Sequence, residues 1–223
     1  GMSAAAIMLS QVTTAFAAYS DVPAGVWFES AVSDFVERGI LDSAQTRFRG
    51  TENATRAEFF KLVVELNGGA LSEAPAVPSF DDVSASAWFY KYIEEAAKEG
   101  WVRGDGSCYG KHPCYARPNG KINRAEAAAT IVRAFGLESS GSASQFVDNP
   151  SGQWYTADIQ SAAGSCVLQG DASTGRVRAS DNMNRAEMVV MLYRVDQGLT
   201  FGEDCGSVTI SEPMVKDVTA LSS

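Results

Sequence analysis

The sequence predicts a mainly α-helical protein: three helix–loop–helix units with short extended segments, packed as one pseudo-symmetric body. Three observations predict it. A four-residue stretch recurs as Thr55-Arg56-Ala57-Glu58, Asn123-Arg124-Ala125-Glu126 and Asn184-Arg185-Ala186-Glu187, and each copy opens an apolar run of helical spacing. Asp21, Asp82 and Asp148 lead units whose starts lie 61 and 66 residues apart, a repeat period. Each unit is also too poor in large apolar residues to stand alone, because small domains bury a smaller fraction of their surface. A shared centre follows.

Residues 1–18 read as the remnant of a secretory signal peptide. Ala4 to Leu9 is apolar but too short to span a bilayer. Ala15-Phe16-Ala17 resembles a cleavage site, although no basic residue precedes the apolar run. The alternative is an N-terminal helix with no targeting role.

The first repeat covers residues 19–69. Trp27, Ala31, Val32, Phe35 and Val36 form a helical stripe, Gly39 ends it, and Ile40-Leu41 starts an extended piece. Phe48-Arg49-Gly50 leads to a second helix with Ala57, Phe60, Val63 and Val64 inward. A linker, 70–79, carries Pro75 and Pro78. The second repeat, 80–137, restates the pattern with Trp88, Tyr92, Ile93, Ala96 and Ala97, then Gly100, Trp101-Val102 and Ala116-Arg117-Pro118. Its loop is seven residues longer and contains Cys108 and Cys114. After a Ser/Gly-rich linker, 138–145, the third repeat, 146–198, has Trp154, Ile159, Ala162 and Ala163. Cys166 replaces the capping glycine, and Gly170 and Val177-Arg178-Ala179 precede the last helix. Residues 199–223 read as a polar tail.

Thr or Asn followed three residues later by Glu is a capping box. It leaves Arg56, Arg124 and Arg185 at the first helical position, where a guanidinium beside unpaired N–H groups is a receptor for a carboxylate or phosphate. The other reading is that each Arg pairs with an acidic neighbour to hold the fold.

The net charge of −9 argues against nucleic acid and against adhesion to anionic membranes. Any anionic partner therefore needs local, specific pockets. A single histidine, His112, allows no nucleophile–base set, and with Cys108 and Cys114 it lacks a fourth ligand and the usual zinc spacing. No catalytic residue, metal, cofactor or transmembrane segment is expected.

The order F-x-D-V, W-[FY], a helix ending in Gly, an F-x-P-like triplet and T-R-A-E resembles the S-layer homology domain, from Tyr19 to about Gly198. The resemblance implies a three-pronged, mainly helical spindle. It implies anchoring of an exported protein to a cell-wall polysaccharide, often one bearing pyruvate ketals. It carries ligand contact onto Arg56, Arg124 and Arg185 in grooves between repeats, backed by loop N–H groups at Gly104 and Gly170. The rival readings are a protein–protein assembly module with S-layer protein neighbours, and the targeting part of a longer exported hydrolase. Asp21, Asp82 and Asp148 either bond the sugar or, as favoured here, cap the first helices and orient the Arg. Trp27, Trp88 and Trp154 either stack on a sugar ring or, as favoured, pack in the core. Only Pro118 keeps the family's triplet proline, and the first repeat lacks the loop glycine, so three equivalent sites are not expected. In an exported chain Cys108 with Cys114, and Cys166 with Cys205, are disulfide candidates; the alternative is four free thiols.

Overall fold

Each long helix starts where the recurring stretch places it. In the computed structural model, which describes residues 19–69, 73–138, 146–171 and 173–198, α2 spans Arg56–Leu66, α4 Arg124–Phe135 and α6 Arg185–Asp196. All three capping boxes close in both directions: Thr55, Asn123 and Asn184 accept from the N–H of Glu58, Glu126 and Glu187, whose carboxylates accept in return. The shorter helices α1 (Glu29–Glu37), α3 (Tyr90–Lys98) and α5 (Thr156–Gly164) precede them in each repeat. They end on left-handed residues, Gly39 (φ 72°), Gly100 (φ 74°) and Cys166 (φ 58°), so the cysteine adopts the turn that glycine makes elsewhere. Among the described residues there is no strand, and a 3₁₀ turn covers Asp105–Ser107.

The repeats join through their backbones. Ala54 N–H donates to Met183 O (2.9 Å), Met183 N–H to Ile122 O (3.0 Å) and Ile122 N–H to Ala54 O (3.1 Å). These residues precede the helix-start arginines by two, and their bonds close a ring with one member from each repeat. The next residues extend it: Arg56 and Ala57 N–H reach Gly120 O and Pro118 O, Arg124 and Ala125 reach Asp181 O and Ala179 O, and Arg185 and Ala186 reach Glu52 O and Gly50 O. The orphan donors of each helix start are thus satisfied by the loop of the next repeat. They are not left open for an anion, which corrects the expectation of unpaired N–H groups there.

Packing follows the same cycle. α2 packs on α3, α4 on α5, and α6 returns to α1. One buried cluster draws on every repeat, with Phe35, Phe48, Phe59 and Phe60, then Phe80, Ile93, Ile122 and Ile131, then Ile159, Met188 and Leu192 fully enclosed. Two tryptophans depart from expectation. Trp88 is 58% and Trp154 62% exposed, and Trp27 is half-buried. The inward stripe begins one residue later, at Phe28 and Phe89, which are buried. Each indole stands edge-on to its neighbour (Phe28, Phe89 or Tyr155); Trp88 and Trp154 face outward, whereas Trp27 packs partly against the core as expected.

Cys108 and Cys114 form a disulfide that closes the long loop of the second repeat, so neither sulfur is a thiolate ligand. His112 Nδ1 lies 2.9 Å from Asp81 Oδ2, which also accepts from Cys114 N–H (2.6 Å). Cys166 is disulfide-bonded as well. Cys205, its expected partner, lies outside the described residues, as do the signal-peptide remnant and the tail. No helix among the described residues is long and apolar enough to cross a membrane.

Candidate functional site

Each repeat presents a cavity built on one plan. The repeat-1 cavity, about 360 Å³, is lined by its own Arg49, Glu58 and Lys61, by Arg185 from repeat 3 and by Trp88 from repeat 2. The repeat-2 cavity, about 590 Å³, has Arg117, Glu126 and Arg133 of its own, Arg56 from repeat 1 and Trp154 from repeat 3. The repeat-3 cavity, about 400 Å³, has Arg178, Glu187 and Arg194, with Arg124 from repeat 2, and no tryptophan lines it.

The helix-start arginines form the inner walls. Arg56 and Arg124 are only 7% and 8% exposed. Arg56 Nε donates to Ala116 O (2.8 Å), Arg124 Nε to Val177 O (2.7 Å) and Arg185 Nε to Phe48 O (2.8 Å). The other end of each guanidinium faces the capping-box Glu of the next repeat: Arg56 to Glu126 at 3.0 Å, Arg124 to Glu187 at 3.7 Å, and Arg185 to Glu58. Burial lowers the affinity of Arg56 and Arg124 for their protons, and the facing carboxylates oppose that shift. The receptor and the ion-pair readings thus meet in one residue, whose Nε and one terminal nitrogen are already engaged inside the fold.

Asp21, Asp82 and Asp148 do not cap α1, α3 or α5, whose N-caps carry no side-chain bond. Each carboxylate instead clamps two successive N–H groups of the triplet: Asp21 holds Phe48 and Arg49 (2.7 and 2.8 Å), Asp82 holds Ala116 and Arg117 (2.9 and 2.8 Å), and Asp148 holds Val177 and Arg178 (2.7 and 2.9 Å). Burial would raise the Asp21 carboxyl, but the two backbone donors outweigh it and hold it below the usual range.

Those clamps impose an unusual backbone. Arg49 (φ 60°), Arg117 (φ 53°) and Arg178 (φ 53°) are left-handed, a conformation that disfavours any side chain by about 1–2 kcal/mol. Strain held in place by surrounding bonds, at one position in every repeat, marks a functional candidate. Their side chains are 43–51% exposed and line the three cavities.

Gly104 and Gly170 also line cavities, and close packing already requires glycine at both. A Cβ on Gly104 would stand 2.6 Å from both disulfide sulfurs, and one on Gly170 would stand 2.5 Å from the Phe146 ring.

The S-layer homology domain family model matches residues 18–60 and 79–107: the marker, first helix, triplet and second-helix start of the first repeat, and the marker and first helix of the second. An S-layer protein of Bacillus licheniformis is 30% identical over 195 residues, 85% of this chain and 21% of that protein. The chain belongs to the S-layer homology family. S-layer protein EA1 of Bacillus anthracis is 34% identical over 132 residues, 59% of this chain and 14% of its own length. Endo-1,4-beta-xylanase A of Thermoanaerobacterium saccharolyticum is 31% identical over 101 residues, 45% of this chain and 8% of its own. The chain thus spans about a fifth or less of these relatives.

Within this S-layer homology framework, sequence reasoning missed the middle Arg of the triplets. The signal was present, since Phe48-Arg49-Gly50, Ala116-Arg117-Pro118 and Val177-Arg178-Ala179 all carry it. Attention to the Pro of F-x-P hid it.

Proposed function

We propose that this chain anchors an exported protein by capturing acidic units of a cell-wall polysaccharide in the cavities of a three-pronged, pseudo-three-fold body. S-layer homology domains are non-catalytic anchoring modules, and the protein is a cell-surface one. The finer reading rests on one observation. Ten of the 18 Lys and Arg residues line the three cavities, three in repeat 1, three in repeat 3 and four in repeat 2, against six of the 27 Asp and Glu. On a chain of net charge −9 that placement makes local cationic clefts in a repelling field. Exposed Trp88 and Trp154 add apolar walls for a sugar ring at two of them. In this reading the helix-start arginines close the cavity floors, and the triplet arginines face the ligand. The ring of backbone bonds among Ala54, Ile122 and Met183 supports the three-fold arrangement.

Co-sedimentation with purified wall sacculi, before and after the polysaccharide is stripped, tests the reading. Binding to intact sacculi and its loss on stripping is the expected result. Retention on stripped walls, or capture by the chain's own kind instead, assigns the module to protein–protein assembly.

A further inference from the structure

We propose that the repeat-2 cavity is the principal acid-binding site, and that Arg103 and Arg133 receive the carboxylate there rather than the helix-start Arg56. This rests on the cavities being saccharide sites.

Two positions, each equivalent across the three repeats, distinguish this cavity. The first lies three residues after the left-handed cap of the short helix; it is Asp42, Arg103 and Gln169 in turn. The second lies nine residues after the helix-start Arg, two turns and a half along α2, α4 or α6; it is Glu65, Arg133 and Arg194. Repeat 1 therefore has two acids, repeat 2 two arginines, and repeat 3 a glutamine and an arginine.

Their surroundings sharpen the difference. In repeat 1, Glu65 accepts from Tyr92 Oη (2.9 Å) and lies 4.0 Å from Lys61, one of the three cations of that cavity. In repeat 3, Arg194 donates to Gln169 Oε1 (3.1 Å), and Gln169 O accepts from Arg124 (2.6 Å), so that pair is closed on the fold. In repeat 2, Arg103 is exposed and has no carboxylate at ion-pair distance among the described residues; its Nε makes only a long contact to Gly100 O (3.4 Å). Arg133 donates to Trp101 O (3.1 Å), which fixes its direction, and Asp158 stands 4.0 Å from its other nitrogen. The two guanidinium groups line one cavity, and Arg103 is near enough that its charge, after burial, holds Arg133 below the usual arginine range.

The rest of that cavity is neutralised. Arg117 lies between Asp105 (2.7 Å) and Glu126 (3.0 Å), and Arg56 pairs with the same Glu126 (3.0 Å). Two cations there meet two acids. The remaining two cations, Arg103 and Arg133, share one nearby acid, Asp158, 4.0 Å from Arg133, so a net positive charge stays with them, and their planar forks match the two oxygens of a carboxylate. A cavity of about 590 Å³ is of ligand-site size, and Trp154 forms its apolar side.

The test is calorimetric titration of the 223-residue chain with a methyl glycoside carrying a 4,6-pyruvate ketal, and with the same glycoside lacking the ketal. The wild-type chain should bind the acidic glycoside and lose at least about tenfold on the neutral one. Arg103→Gln and Arg133→Gln should each weaken the acidic glycoside roughly ten- to a hundredfold, the range of a charge-assisted bond. Arg103→Gln removes an exposed side chain and should leave the melting curve in place, so its binding loss is not a folding loss. Wild-type affinity in Arg103→Gln, together with loss in Lys61→Gln or Arg178→Gln, overturns the assignment and keeps the cavity reading. No binding of either glycoside by the wild-type chain overturns both.

Discussion

Arg124 and Arg178 line the same cavity in opposite settings, one bonded into the fold and one open to solvent. Arg124 is 8% exposed; its side chain donates to Val177 O and Gln169 O, and its backbone N–H to Asp181 O, all in the next repeat. Arg178 is left-handed, about half exposed, and only loosely paired with Asp181 (3.5 Å). The difference teaches that a basic motif repeated three times need not be the recognition surface. The residue that makes repeats recognise one another can carry the louder sequence signature.

The comparison breaks most visibly at the buried partner. Arg124→Ala leaves the Val177 and Gln169 carbonyls without their charged donor and the partly exposed Glu187 without its cation, and each hydrogen bond to a charged group costs about 1.5–3 kcal/mol when lost. Urea denaturation should show a fall of that order, with binding lost only because the fold is lost. A stable Arg124→Ala protein with abolished sacculus binding would reverse the two roles.

Next come the clamps. Asp82→Ala should lower stability by about 1–3 kcal/mol, because the N–H groups of Ala116 and Arg117 lose their acceptor. For Asp21 the pH dependence has a definite sign. Its carboxyl is lowered in the folded state, so its stabilisation is complete above the ordinary carboxylate range and is lost as pH falls through the lowered value, below about pH 4. Asp21→Asn should flatten that part of the stability–pH profile; an unchanged acid limb would remove Asp21 from the account.

Arg178→Gly sharpens the contrast further. It relieves a left-handed side chain and should hold or raise stability by up to about 1 kcal/mol, while weakening sacculus binding. Trp154→Ala gives the smallest stability change, within about 0.5 kcal/mol for an exposed side chain, and should still weaken binding about tenfold or more. A Trp154→Ala protein that melts early would return the indole to the core.

Much of the architecture was legible because it is written in local rules. The capping boxes fix the starts of α2, α4 and α6, and the Gly39 and Gly100 turns fix the ends of α1 and α3. Trp88 and Trp154 were misread because a helical stripe read from spacing alone tolerates a shift of one residue. Trp88 and Phe89 both satisfy the period, and only the packed core selects Phe89. The aspartates were misread because their partners lie 27 to 35 residues away, across a loop whose length varies. The triplet arginines escaped because left-handed geometry in a non-glycine residue has no propensity signal; it is imposed by the distant clamp. Arg103 and Arg133 become visible only when the repeats are superposed position by position.

A structure of the chain with an acidic wall saccharide bound tests the central claim most directly. The account predicts the carboxylate in the repeat-2 cavity against Arg103 and Arg133, the sugar face on Trp154, and Arg56, Arg124 and Arg185 still bonded to the carbonyls and glutamates of their neighbouring repeats. A saccharide held by those three helix-start guanidinium groups, released from their glutamates, would contradict it.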